Sequence, residues 1–305
     1  TPPCTSVVRT RDGGRTWAGI PAPPAEMTAS GPTGVGEIRF ADATDGWAIG
    51  PELWATHDGG AHWSHTTLPG IDLPATVTDL AAADAMVHVT VIDDKGVHIL
   101  SSPVGKEDWK LSPTTVPIGA GPVPRSQLVL QGAGGWLIEV DRTVVGGARL
   151  SAGSWVPWQP PCADAGGSAL LAAPSSEEVV VVCNEGQWND HPQAVRYYRS
   201  SDGGTTFRET ATPVTTPCCV SAVASGAAGT AVVASTDGAA VLIATFDDGA
   251  TWADVYRGAD RSSLIEVGFT SRSQGVAIEV PTEARTGALL MTADGGHTWK
   301  AVPFR

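Results

Sequence analysis

The residues of this chain best suited to contact a ligand gather in one stretch, Asn184-Glu185-Gly-Gln-Trp188-Asn189-Asp190-His191-Pro192. An indole beside carboxylates, amides and an imidazole supplies stacking and hydrogen bonding from few residues, which is the chemistry of a sugar platform or a protein anchor. The same composition serves a structural loop whose Trp packs on its neighbours, and the sequence leaves both readings open. Trp158, near the start of the preceding loop, strengthens the platform if the two indoles meet. Arg261 and Arg285 stand in other loops expected on the same side, next to Asp260 and near Glu283. Such charges are mostly solvated, and exposed pairs contribute little. A glycosidase acid and nucleophile need a fixed separation, which spacing along the chain does not set, so no catalytic residue is assigned. His57, His62 and His65 fall within nine residues. On a turn followed by a strand their rings point apart, so neither a metal site nor a cofactor is expected.

Five cysteines occur, and none are spaced Cys-x-x-Cys. Cys162 and Cys183 are the pair expected to form a disulfide, because both map to one end of one repeat and an extracytoplasmic protein tolerates a bridge. Cys4 with Cys218 or Cys219, and a vicinal Cys218–Cys219 bridge, stay open.

The elements that must position these residues follow from composition and repetition. Gly and Pro number 36 and 23 among 305 residues, so long helices are excluded. No apolar run approaches the length of a membrane-spanning helix, and membrane insertion is not expected. A net charge of −13, with no Lys/Arg cluster, opposes nucleic acid. Eleven Trp against three Tyr and five Phe imply one repeated job for the indole.

That job is visible in a recurring motif, Ser/Thr-x-Asp-x-Gly-x-Thr-aromatic. It spans Thr10 to Trp17 with Asp12, Thr56 to Trp63 with Asp58, Ser200 to Phe207 with Asp202, Thr245 to Trp252 with Asp247, and Thr292 to Trp299 with Asp294. Two eroded copies end at Trp109 and Trp155, so the closing rings are spaced 46, 46, 46, 52, 45 and 47 residues apart. Asp-Gly and Gly-Gly give a tight turn at low steric cost, and a short carboxylate accepts bonds from the turn's own N–H groups. The ring then enters the next strand and the core.

Around the copies, strands are expected at 37–40, 47–49, 53–56 and 63–66, and again at 265–269, 276–278, 288–291 and 299–302, with first strands near 76–82, 125–131, 168–173 and 220–225. Four strands per repeat of roughly 47 residues is the signature of an all-β propeller blade, and one domain, 1–305, is expected. Seven rings predict seven blades with the first incomplete; six blades plus an N-terminal hairpin is the alternative.

Phe40-x-Asp42-x-x-x-Gly46-Trp47-Ala48 followed by a box resembles the repeat of the photosystem II assembly factors of plants and cyanobacteria. These belong to the wider Asp-box (BNR) superfamily, which includes sialidases and sortilin-type receptors. The resemblance implies a propeller that holds a partner polypeptide. The relatives' basic surface has no counterpart in a chain with four Lys, which points to another client. A sialidase needs an Arg-Ile-Pro segment, absent here, and a xyloglucanase pairs two propellers where this chain has one. The sequence thus predicts a non-catalytic, secreted or cell-envelope binding propeller, monomeric, that takes a protein, peptide or glycan on the loops opposite the boxes. A glycoside hydrolase is the alternative.

Overall fold

The computed structural model describes residues 5–27, 34–119, 125–163, 166–188, 191–212, 220–281 and 287–302. Among them the chain is all strand and turn. A hairpin, β1 (Val7–Arg9) and β2 (Ala18–Ile20), precedes six four-stranded antiparallel sheets, each a meander in chain order.

Contacts group the chain into two compact units, Thr1–Asp141 with Val145–Gln159, and Arg142–Val144 with Pro160–Phe304. The first unit holds the hairpin and three blades. They are β3 (Glu37–Phe40), β4 (Gly46–Ile49), β5 (Leu53–Thr56), β6 (Ser64–His65); β7 (Thr76–Ala83), β8 (Met86–Ile92), β9 (Val97–Pro103), β10 (Lys110–Val116); and β11 (Arg125–Gln131), β12 (Gly134–Asp141), β13 (Thr143–Ser151), β14 (Ser154–Pro157). The second unit holds β15 (Ser168–Ala172), β16 (Val179–Trp188), β17 (His191–Ser200), β18 (Arg208–Thr210); β19 (Ala222–Ala224), β20 (Ala231–Thr236), β21 (Ala239–Thr245), β22 (Ala253–Asp260); and β23 (Ser262–Phe269), β24 (Gly275–Pro281), β25 (Ala288–Thr292), β26 (Lys300–Val302). Within each unit the first strands of successive blades adjoin: β3, β7 and β11 in one, β15, β19 and β23 in the other.

Middle strands are apolar on both faces, as blades stacked on both sides require. Val179 to Cys183 of β16 and all of β21 are buried. Outer strands alternate or lie exposed, as in β26, β18 and β22.

Six complete blades replace the seven expected. The ring count misled because the motif occupies only the turn from third to fourth strand, so it needs just those two strands. At the N-terminus it has only them: Thr10 to Trp17 joins β1 to β2, and β1 pairs with β2 alone among the described strands. The six-blade alternative with an extra hairpin is the one observed.

The motif folds as a self-contained network. Thr56 Oγ1 donates to Asp58 Oδ1 at 3.0 Å and accepts the Gly60 N–H at 2.8 Å. Asp58 Oδ1 also accepts the His62 N–H, and His62 Nδ1 meets Oδ2 at 2.6 Å. In the turns of Asp12, Asp202, Asp247 and Asp294 a Thr hydroxyl takes that last role, at 2.6 or 2.7 Å. Gly60 sits at φ 87° and Gly296 at 95°, where a Cβ is strained. Backbone N–H bonds, from Thr16 and His62 respectively, hold Asp12 and Asp58 at about 2, and the Thr298 hydroxyl does the same for Asp294.

The closing rings are buried at Trp109, Trp155 and Trp299 and half-buried at Trp17, Trp63, Phe207 and Trp252. The copy at 151–155 has contracted to a two-residue turn, Ala152-Gly153, both at positive φ, and its Trp155 lies inside β14.

Candidate functional site

Of the stretch expected to be a loop from 184 to 192, the described residues 184–188 and 191–192 are instead paired strands. β16 and β17 run ten residues each and stay in register from Val179↔Ser200 to Trp188↔His191. Strand continues up to Trp188 and from His191 because Val-Cys-Asn-Glu on one side and Ala-Val-Arg-Tyr on the other carry on the pleat. β15 reaches only to Asn184 of β16 and β18 only to Tyr197 of β17, so among the described strands residues 185–188 and 191–194 pair only with each other. A two-stranded ribbon therefore extends past the sheet, at the end of the blade opposite the Ser200–Phe207 turn.

The base of the ribbon is fixed twice. Cys162 and Cys183 form the expected disulfide, which ties the segment entering β15 to the middle of β16. Arg196 on β17 binds Glu185 across the pair and Glu209 just before the end of β18, each at 2.6 Å. The hydrogen bonds it donates to both carboxylates, Glu185 first, raise the guanidinium above its ordinary range. Burial chiefly, with both carboxylates adding, also raises the Tyr198 phenol beside it. Asn184 Nδ2 donates to Ser168 Oγ and to the Val220 carbonyl of the next blade, at 3.2 and 3.4 Å.

Of the residues singled out by sequence, Glu185 belongs to the Arg196 cluster. Trp188 ends β16 and His191 begins β17, paired with each other, and only their backbone is described. Asp190, Arg285, Cys4, Cys218 and Cys219 lie outside the described residues. Trp158 follows β14 in the first unit, half-buried, its N–H donating to the Gly147 carbonyl at 2.9 Å. Arg261 is the single residue between β22 and β23, at φ 60°, with its N–H on the Gly238 carbonyl. The three histidines have separate partners: His57 meets Asp45, His62 meets Asp58, and the His65 ring meets the edge of Trp54. Sequence reasoning missed Arg196 and Glu209. The available signal was the spacing Arg196-x-Tyr198, which puts both on one face of a strand.

Solved structures provide a comparison for this arrangement. The chain superposes on YCF48 bound to D1 peptide with a TM-score of 0.59 at 14% identity, covering 99% of this chain and 86% of that one. It is a six-bladed β-propeller. The propeller also matches the GH74 xyloglucanase from Xanthomonas campestris, with a TM-score of 0.59 at 15% identity over 97% of this chain. A Mycobacterium tuberculosis puromycin-hydrolyzing peptidase gives 0.69 at 12% identity over 98%. The propeller spans 47% and 48% of those two enzymes. At such identities the likeness is one of fold. No family model and no curated protein matches the sequence.

Proposed function

We propose that this propeller is a non-catalytic binding module outside the cytoplasm that holds a peptide or protein segment, with the β16–β17 ribbon as its principal contact. The ribbon carries the reading: it alone among the described hairpins extends this far past its sheet, it is braced by a disulfide and an Arg–Glu pair, and Trp188 is the last residue of its first strand. Braced secondary structure delivers a contact residue with less ordering cost than a mobile loop. The disulfide supports an oxidising location. YCF48, which shares the fold, is seen with a bound peptide.

Screening the protein against peptide and glycan arrays, beside a panel of chromogenic glycosides, tests the proposal. Binding of an extended peptide, weakened about tenfold or more by Trp188→Ala, is the expected result for an aromatic anchor. Turnover of a glycoside, abolished by changing one loop carboxylate, overturns it in favour of a hydrolase.

A further inference from the structure

Glu139, on the second strand of the third blade, is 0% exposed. Its Oε2 accepts a hydrogen bond from Ser126 Oγ at 2.7 Å. Ser126 accepts in turn from Thr78 Oγ1 at 3.1 Å, and Thr78 shares a 3.0 Å bond with Thr90 Oγ1. Ser126 stands on β11 and Thr78 on β7, so the carboxyl ends a relay that crosses from the third blade to the second. Its other oxygen, Oε1, is buried with no partner.

The neighbouring blades build the same joint from neutral groups. Ser126 faces Glu139 in register as Ser168 faces Asn184, and in the second blade Thr90 takes that place. An acid at this position differs from those groups in one respect: it ionises. A buried carboxylate with a bare oxygen costs far more than the neutral acid. Among the described residues the charged group that acts on Glu139 is Asp141, of the same sign.

We propose that Glu139 is a proton-operated latch on the seam between the second and third blades: neutral, it closes the Ser126–Thr78 relay; ionised, it draws water and loosens the seam. Desolvation, assisted by Asp141 and opposed by the Ser126 hydroxyl, raises the group to about 7, in keeping with this geometry. A carboxyl raised in the closed form contributes fully below its ordinary value of 4.5. That contribution declines as pH rises to about 7 and is level above it. One proton is involved, so seam opening rises about tenfold per pH unit within that window.

Two other groups titrate on the same seam. Asp79 on β7 accepts the Leu80 and Leu128 N–H groups, each at 2.7 Å, and faces Arg39 and Glu37 from β3; burial raises it to about 7, adding a slope of the same sign. His88 on β8 accepts the Trp155 Nε1–H from β14 at 3.1 Å, and burial lowers it to about 4. Its share is complete above its ordinary 6.5 and is lost as pH falls to about 4, the opposite slope. The whole-protein profile therefore mixes the three, and the difference between variants separates them.

The test is hydrogen exchange of the β7 and β11 amides between pH 4.5 and 7.5, corrected for intrinsic rates, in the wild type, Glu139→Gln and Asp79→Asn. Glu139→Gln is expected to remove about one tenfold step per pH unit relative to wild type. Asp79→Asn is expected to leave the share of Glu139 in place. Identical pH dependence in wild type and Glu139→Gln overturns the latch. The wild type also gives a reading that needs no variant to fold: a Glu139 carboxyl carbon resonance titrating near 7 supports it, and one titrating near 4.5 overturns it.

Discussion

The turns that join third to fourth strands, taken with the turn of the N-terminal hairpin, come in two kinds. Five are built on an Asp that satisfies its own turn, and their chemistry is local: hydroxyl, carboxylate and N–H groups lie within four residues. The second blade has lost that Asp. There Ser102 Oγ accepts the Asp108 N–H at 2.8 Å, and Glu107, at φ 47°, turns its carboxylate toward other elements. It accepts the Trp47 indole N–H at 3.2 Å, the Thr66 hydroxyl at 2.8 Å and the Trp109 indole N–H at 3.0 Å. Trp47 and Thr66 belong to the first blade and the segment that leaves it. One carboxylate thus closes its own turn when it is Asp in the intact motif, and bonds to the neighbouring blade when it is Glu on an eroded one. The third blade has dropped the carboxylate altogether, and its Trp155 reaches His88 of the second blade instead. At both eroded turns a side chain bonds to the preceding blade.

The ring should be common to both kinds of turn. Trp109→Ala and Trp299→Ala, each at a site 7% exposed, are expected to cost about 3–5 kcal/mol in denaturant titrations. A loss below about 1 kcal/mol at Trp109 alone would show that the second blade no longer relies on its ring. Next in size is Glu107→Ala, which strands three donors and is expected to cost about 2–3 kcal/mol, with part recovered in Glu107→Gln. A cost confined to the second blade in exchange measurements, leaving the first untouched, would refute its bridging role. The smallest effect is acid sensitivity. Asp294, held at about 2 against its ordinary 3.8, contributes above 3.8 and loses that contribution as pH falls toward 2. Asp294→Asn should lessen the slope of the stability profile between pH 2 and 4, read from denaturant titrations across that range.

How much was legible in advance tracks the range of the interactions. The motif could be read from sequence because its partners are at most four residues apart, and the strands because alternation is a local property of the pleat. The disulfide followed from placing Cys162 and Cys183 on one repeat. The ribbon was misread as a loop because Trp, Asn, Asp and His are common in loops, whereas its pairing depends on two strands holding register over ten residues. Glu139 was overlooked for a related reason: within Trp136-Leu-Ile-Glu-Val it looks like an outward position, and the Thr78 that completes its relay lies 48 residues before Ser126.

By itself, the sequence determined that this chain forms small antiparallel sheets joined by carboxylate-capped turns and closed by indoles, since each of those features is paid for within a few residues. Tertiary structure alone decided that there are six blades, that one hairpin runs long, and that a carboxyl on one blade ends a relay begun on another. Those outcomes depend on which distant strands meet, and packing sets that.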